Sequence, residues 1–234
     1  MIYKIFMVLA FVLMSFTPKQ NLSTNSKPIA ANLENSFSAK AASIYHQLHS
    51  NSILALPKLE SFTKALQGFY ALRADGKVSK NILTLVDFSL SSNTKRLWVI
   101  DLSSNTILFN SLVAHGRNTG DEFANQFSNK SESFKSSLGF YVTGEIYSGK
   151  HGKSLKLDGL EKGVNDNARN RAVVMHGADY VSESFIKNHH RLGRSQGCPA
   201  IPVELTDDII NTIKDQSCLY IYHPSRKAPS KLVS

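Results

Sequence analysis

The spacing of apolar positions changes character once along the chain. From about Glu34 to Leu72 they fall at helical intervals: "AKAASIYHQLH" sets Ala41, Ile44, Tyr45 and Leu48 on one face. "PKLESFTKALQGFYAL" then spaces Leu59, Phe62, Leu66 and Phe69, with Pro57 at a first turn. These aromatic stripes read as core, and "ADGK", Ala74 to Lys77, breaks the pattern. From about Ile82 the runs become short and rich in β-branched and aromatic residues. "NILTLVDFSL", "KRLWVIDLS" and "TILFNSLVAHG" are divided by "SSNTK" and "SSN", which predicts an antiparallel meander. "LGFYVTGEIYS", "SLKLDGL", "RAVVMHG" and "CLYIYH" continue it. A clear helix interrupts at "LTDDIINTIKDQ", with Thr206 as N-cap, Asp207 and Asp208 in the first turn and Lys214 in the last. The pattern predicts a helical segment over 34–80, a mainly β domain over 81–224 and a tail over 225–234, with no internal repeat.

The beginning of the chain differs from both zones. In "MIYKIFMVLAFVLMSFTPKQ" one cation, Lys4, precedes the apolar run Ile5 to Met14, which is too short for a membrane span and fits the apolar region of a secretory signal. No small-x-small cleavage site follows, so residues 1–20 read either as a cleaved signal or as an uncleaved N-terminal membrane anchor. Residues 21–33 read as a polar tether. At 234 residues and 42% hydrophobic composition, the chain suits one well-packed domain of about 150 to 200 residues after that leader. Net charge is +9, but the cations are scattered, which argues against nucleic acid and for an anionic envelope polymer. Two cysteines are too few for a disulfide scaffold, although an oxidising compartment would permit one bond between Cys198 and Cys218.

Those two cysteines have different surroundings. Cys218 lies in the strand run "SCLYIYH" and reads as buried core, whereas Cys198 lies in "LGRSQGCPAIP", a loop. A cysteine nucleophile needs a base, cationic or amide surroundings for the thiolate, and main-chain donors for a developing oxyanion. His176 ends an apolar strand run beside Gly177; Arg191 and Arg194 precede the thiol; Gln196, Gly197 and Cys198 offer N–H groups, while Pro199 cannot. By chemistry alone, Cys198 is equally a nucleophile or a structural thiol. As a nucleophile it is expected to titrate below free cysteine.

The pairing of "HG" at a strand end with a downstream "S-x-G-C" resembles the L,D-transpeptidase (YkuD-like) catalytic domain. The longer string "HGADYVSESFIKNHHRLGRSQGCPAIP" is similar to the murein L,D-transpeptidase catalytic domain subfamily, and the likeness runs from about Asp87 to Pro224. That resemblance implies a mainly β fold, an L,D-transpeptidase-like β-sandwich, with one or two short helices near the active site. It implies Cys198 as nucleophile, His176 as general base, and Gly177 as the residue whose carbonyl orients the imidazole. Ser195, Gln196 and Gly197 would be the motif residues around the oxyanion hole. The implied activity is attack on an L,D bond of a peptidoglycan stem peptide, in the periplasm or cell envelope, with no cofactor and no metal. Resolution of the thioester by an amine makes a transpeptidase, and by water an L,D-carboxypeptidase.

Three departures accompany the likeness. Gln196 stands where the motif usually has histidine; Pro199 and Ala200 follow the cysteine where relatives commonly have an aliphatic residue and then Arg or Asn; and His176 and Cys198 are 22 residues apart, with "SESFIKNHH" read as a short helix. Arg191 or Arg194 is the candidate donor in place of the missing polar residue. A catalytically weak wall-binding module is the alternative in a different class, and a metal hydrolase the third. Adjacent His189 and His190 read as a solvated helix end, His115 as a turn residue, and His151 as a hairpin-tip residue without a role.

Overall fold

The computed structural model describes residues 27–226 and 230, with side chains from 36 onward. The apolar run Ile5 to Met14 and most of the tail 225–234 therefore lie outside the described residues. Helix α1 (Lys27–Asn51) begins inside the stretch expected to be a tether, with Pro28 in its first turn, where a missing N–H leaves no bond unmade. Helix α2 (Leu59–Ala74) follows the predicted stripe, burying Phe62, Ala65, Leu66, Phe69 and Leu72. It stops where Gly76, at φ +69°, turns its N–H back to Arg73 O.

Among the described residues eight strands form one sheet. They are β1 (Ile82–Asp87), β2 (Leu97–Asp101), β3 (Thr106–Ser111), β4 (Gly139–Gly149), β5 (Gly152–Gly159), β6 (Val174–Gly177), β7 (Ala200–Ile201) and β8 (Cys218–Tyr222). Their spatial order is β3-β2-β1-β8-β4-β5-β6-β7. The sheet departs from a simple meander in two places. β8 enters between β1 and β4 and runs parallel to β1, and β7 runs parallel to β6. Parallel neighbours need a crossover. Helix α3 (Glu183–His189) occupies the one from β6 to β7, and helix α4 (Thr206–Ile213) leads into β8. The residue before α4 is Leu205, so Thr206 is the first helical residue and not the cap; its hydroxyl donates to Pro202 O at 3.0 Å. A 3-10 turn over Val203–Leu205 runs directly into the helix and takes the place of a side-chain cap.

Both faces of the sheet are covered, which explains why "CLYIY" is apolar at every position. Val86, Val99, Leu219 and Ile221 point into an inner core shared with Ile209, Ile210 and Ile213 of α4. Leu83, Leu85, Trp98, Cys218 and Tyr220 point the other way, under Leu48, Phe62, Leu66 and Phe69 of α1 and α2. The helical segment therefore roofs the sheet and belongs to its core. Gly68 lets α2 seat closely, since a Cβ there would lie 2.0 Å from the Phe140 ring. Trp98 Nε1–H donates to Ala55 O at 2.7 Å and ties the interhelix connection to β2. Removing a ring from this interface, as in Phe69→Ala, costs about 3 to 5 kcal/mol.

The two sheet edges also meet. Past β3, Ala114 bridges Ala200 of β7, and Gly116 bridges Ser195. This seam curls the sheet into a nearly closed, sandwich-like body and holds the Cys198 loop along its line of closure.

Candidate active site

His176 and Cys198 are brought together by strand register. His176 pairs with Ala200 across the parallel β6–β7 ladder, so extending that register back two residues sets Cys198 beside Val174. The Val174 N–H donates to the thiol, and the thiol donates to Ala172 O at 3.8 Å. Both side chains line a cleft of about 540 Å³.

Each is fixed by its neighbours. A carbonyl can only accept, so the 2.9 Å contact of His176 Nδ1 with Gly177 O places the proton on Nδ1 and leaves Nε2 as the basic nitrogen. Gly177 has no room for a side chain, because a Cβ would lie 2.3 Å from Thr206 Oγ1. In the loop, Ser195 Oγ donates to Cys198 O at 2.6 Å and accepts from the Gly197 N–H at 3.0 Å. Of the three N–H groups expected to face an oxyanion, that of Gly197 is thus occupied, while those of Gln196 and Cys198 have no acceptor among the described residues. Gly197 itself sits at φ +124°, and a Cβ would come within 2.9 Å of Lys135 O. Ser136 Oγ donates to Gly197 O at 3.0 Å, and Ser195 N–H donates to His115 O at 2.9 Å.

Burial governs the charges. It pushes the Cys198 thiol up, against the opposing effects of the Val174 N–H, Arg171 and Lys150. It also holds His176 below its ordinary value, with Gly177 O opposing and His151 and Lys150 adding to the effect. Both groups are uncharged in the free protein at neutral pH. This differs from the expected depressed thiol pKa, because desolvation outweighs the Val174 N–H and the Arg171 and Lys150 cations, and neither Arg191 nor Arg194 contributes. Among the described residues no group of three or more His, Cys, Asp or Glu side chains is arranged to hold a metal ion.

A family model described as YkuD_2, L,D-transpeptidase catalytic domain, matches residues 56–222. The chain belongs to this L,D-transpeptidase family. No curated protein matches it. Among solved structures it is similar to the L,D-transpeptidase from Mycobacterium smegmatis, at 10% identity and TM-score 0.38, over 61% of this chain and 59% of that one. It is also similar to the Enterococcus faecium L,D-transpeptidase C442S mutant, at 10% identity and TM-score 0.38, over 62% of this chain and 50% of that one. A segment of the Xylanimonas cellulosilytica L,D-transpeptidase gives 10% identity and TM-score 0.35, over 78% and 93% respectively. At that level of similarity the family assignment rests on the match over residues 56–222, which takes in α2 as well as the strands.

Within this L,D-transpeptidase domain the two arginines singled out by proximity in sequence go different ways. Arg194 reaches the cleft, but its guanidinium is engaged with Asp121 at 2.5 Å and Gly120 O at 3.2 Å. Arg191 is absent from the cleft lining, and it donates to Leu192 O at 2.8 Å. Gln196 is exposed at the rim, and His189 and His190 lie exposed at the end of α3. His151, given no role by its hairpin position, lies with its ring stacked on His176 at 4.3 Å and 17°. The β4–β5 turn carries it over the site; the ladder that runs from Ile146 opposite Leu155 to Gly149 opposite Gly152 fixes that reach, and nothing in the local sequence signals it. His115 is buried behind the loop. Arginine can only donate and a carbonyl only accept, so Nδ1 accepts from Arg96 at 2.8 Å while Nε2 donates to Gly120 O at 3.2 Å.

Proposed function

We propose that this domain is a cysteine-dependent L,D-transpeptidase that acts on peptidoglycan stem peptides through a thioester. The observation that carries the reading is the β6–β7 register, which sets the thiol and an imidazole with its free nitrogen at Nε2 in one cleft. His176 Nε2 takes the proton of Cys198, and the thiolate forms a bond to the carbonyl carbon of the L,D peptide bond. The N–H groups of Gln196 and Cys198 receive the oxyanion. As the C–N bond breaks, His176 returns the proton to the departing amine of a terminal D-amino acid, leaving an S-acyl enzyme. An amine of a second stem attacks that thioester, loses a proton to His176, and displaces the thiolate. Because both groups start uncharged, proton transfer accompanies substrate entry and no standing ion pair is needed. The polymer lies outside the cytoplasmic membrane, so the reading carries with it export through the N-terminal apolar run.

Intact-protein mass spectrometry with a tetrapeptide stem donor tests it. The parent and Cys218→Ala should gain the tripeptidyl mass and release a D-amino acid, and Cys198→Ala should do neither. Turnover by a folded Cys198→Ala protein would end the proposal. Analysis of the products separates amide exchange from hydrolysis of the same thioester.

A further inference from the structure

The cations that act on the thiol are Arg171 and Lys150, not the two arginines that precede it in sequence. Arg171 lines the cleft, and its Nη2 would lie 3.4 Å from a Cβ built on Gly197, the residue before Cys198. Every hydrogen-bond acceptor it uses is neutral. Nη1 donates to Ser128 O at 2.9 Å and to Ser137 Oγ at 2.5 Å, and Nη2 donates to Lys135 O at 2.6 Å and to Ser133 Oγ at 3.4 Å. Among the described residues it has no ion pair with a carboxylate, whereas Arg169, two residues earlier, is paired with both Glu145 and Asp158. A half-buried guanidinium without a counter-anion is costly unless an anion appears there during function. The ionisable groups that act on it electrostatically are Tyr141 and Cys198. Tyr141 is fully buried and stays protonated, so the thiolate is the anion left to meet it.

We propose that Arg171 is a positioning residue that supplies the charge partner of the Cys198 thiolate and locks the loop over residues 128–137 against the nucleophile loop. The same side chain joins both tasks. Its fork fixes Lys135 O, the carbonyl against which Gly197 packs, and its own backbone is pinned by the bond from Arg171 N–H to Asn167 O at 2.9 Å. The next residue, Ala172, is held at φ +52° with its carbonyl against the thiol, and Val174 follows with its N–H. Residues 171–174 thus surround the sulfur with a charge, an acceptor and a donor. The other charged or titratable groups of the cleft are His176 of β6, Tyr147 of β4, Lys150 and His151 of the hairpin, Glu132 of the facing loop, Tyr180 and Arg194. Arg194 is committed to Asp121, and Lys150 and His151 are exposed at the turn.

The inference rests on Cys198 being the nucleophile, and one measurement separates its failure from the failure of that reading. Iodoacetamide alkylation of Cys198 is followed against pH in a Cys218→Ala background, in Arg171, Arg171→Gln and Arg171→Lys forms. Arg171→Gln should raise the midpoint by about one unit, at the lower end for loss of a nearby opposite charge, and so slow alkylation roughly tenfold at neutral pH. Arg171→Lys should restore most of that shift while lacking the fork. Equal shifts in the two variants would reduce Arg171 to a loop clamp, and no shift in either would overturn the proposal. Should Arg171→Gln not fold, Ser133→Asp sets a carboxylate beside Nη2, and an unmoved midpoint in that variant overturns the proposal equally. Loss of turnover in Cys198→Ala is independent of all of these outcomes.

Discussion

Acid should weaken this fold through one buried imidazole. His115 is 1% exposed and is held neutral as the Nε2–H tautomer, because it accepts from Arg96 at one nitrogen and donates to Gly120 O at the other. Burial, and then the Arg96 guanidinium, lower its pKa to about 4 from 6.5. The unfolded chain therefore binds more protons between those two values. The stability this group confers is complete above pH 6.5, is lost as pH falls through that window, and changes little below it. A difference of 2.5 units amounts to about 3.4 kcal/mol, of which about 3 kcal/mol is gone by pH 4. That is a large fraction of the 5 to 15 kcal/mol typical of a domain. His115→Gln supplies a side-chain acceptor for Arg96 and a donor for Gly120 O but cannot titrate. Urea unfolding of both proteins at pH 7 and pH 4, followed by the emission of the single tryptophan, Trp98, isolates the effect because every other titrating group is shared. The parent should lose about 3 kcal/mol more than the variant. Equal losses would mean that His115 does not need to stay neutral.

The remaining expectations concern the cleft. Gly177→Ala puts a methyl 2.3 Å from Thr206 Oγ1, so it should cost about 1 to 3 kcal/mol and shift the carbonyl that holds His176. Its kcat should drop, Gly177→Ala/Thr206→Ala should recover part of it, and parental turnover in the single variant would contradict the geometry. Arg194→Ala breaks a pair with an exposed carboxylate, worth less than about 1 kcal/mol. Turnover should fall under threefold and the loss should fade with salt; a loss above tenfold at both low and high salt would show that Arg194 grips substrate directly. His151→Ala removes a ring stacked on His176 and one of the groups that hold it down. The acidic limb of kcat/KM should move to higher pH, and an unmoved limb would deny His151 any part in tuning the base.

What the sequence disclosed was local. Alternation and turn residues located β1 to β6 and β8, and "SESFIKNHH" became α3 with Ser182 accepting from Phe185 N–H at its start. Residue type and setting also set Cys198 apart from Cys218, which the structure buries completely in the outer core. What stayed hidden depends on contacts between distant residues. The two-residue β7 carries no periodic signal, yet it aligns the thiol with His176. Arg171 and His151 reach the cleft from a turn and a hairpin tip, and chain proximity favoured Arg191, which folding leaves outside it. The commitment of Arg194 to Asp121, 73 residues away, was equally invisible.

The insertion of β8 gives this domain a fixed order of assembly. β1 and β4 do not pair with each other; each pairs with a flank of β8. Leu83 therefore waits for Cys218, 218 − 83 = 135 residues later, before the central ladder can form. Such long-range pairing is slow, since the closure entropy is spent before the contacts repay it. For a chain that emerges N-terminus first, from a ribosome or through a membrane channel, the last strand acts as a clasp. Until it arrives both cores lack their middle row, and the helices α1 and α2 have only part of a floor to cover. A chain stopped before Cys218 should bind a hydrophobic dye and expose Cys198 to alkylation whether or not His176 is present, whereas compact, dye-silent behaviour would refute the clasp. Assembly of the cleft around Cys198 and His176 is thereby withheld until β8 has been delivered.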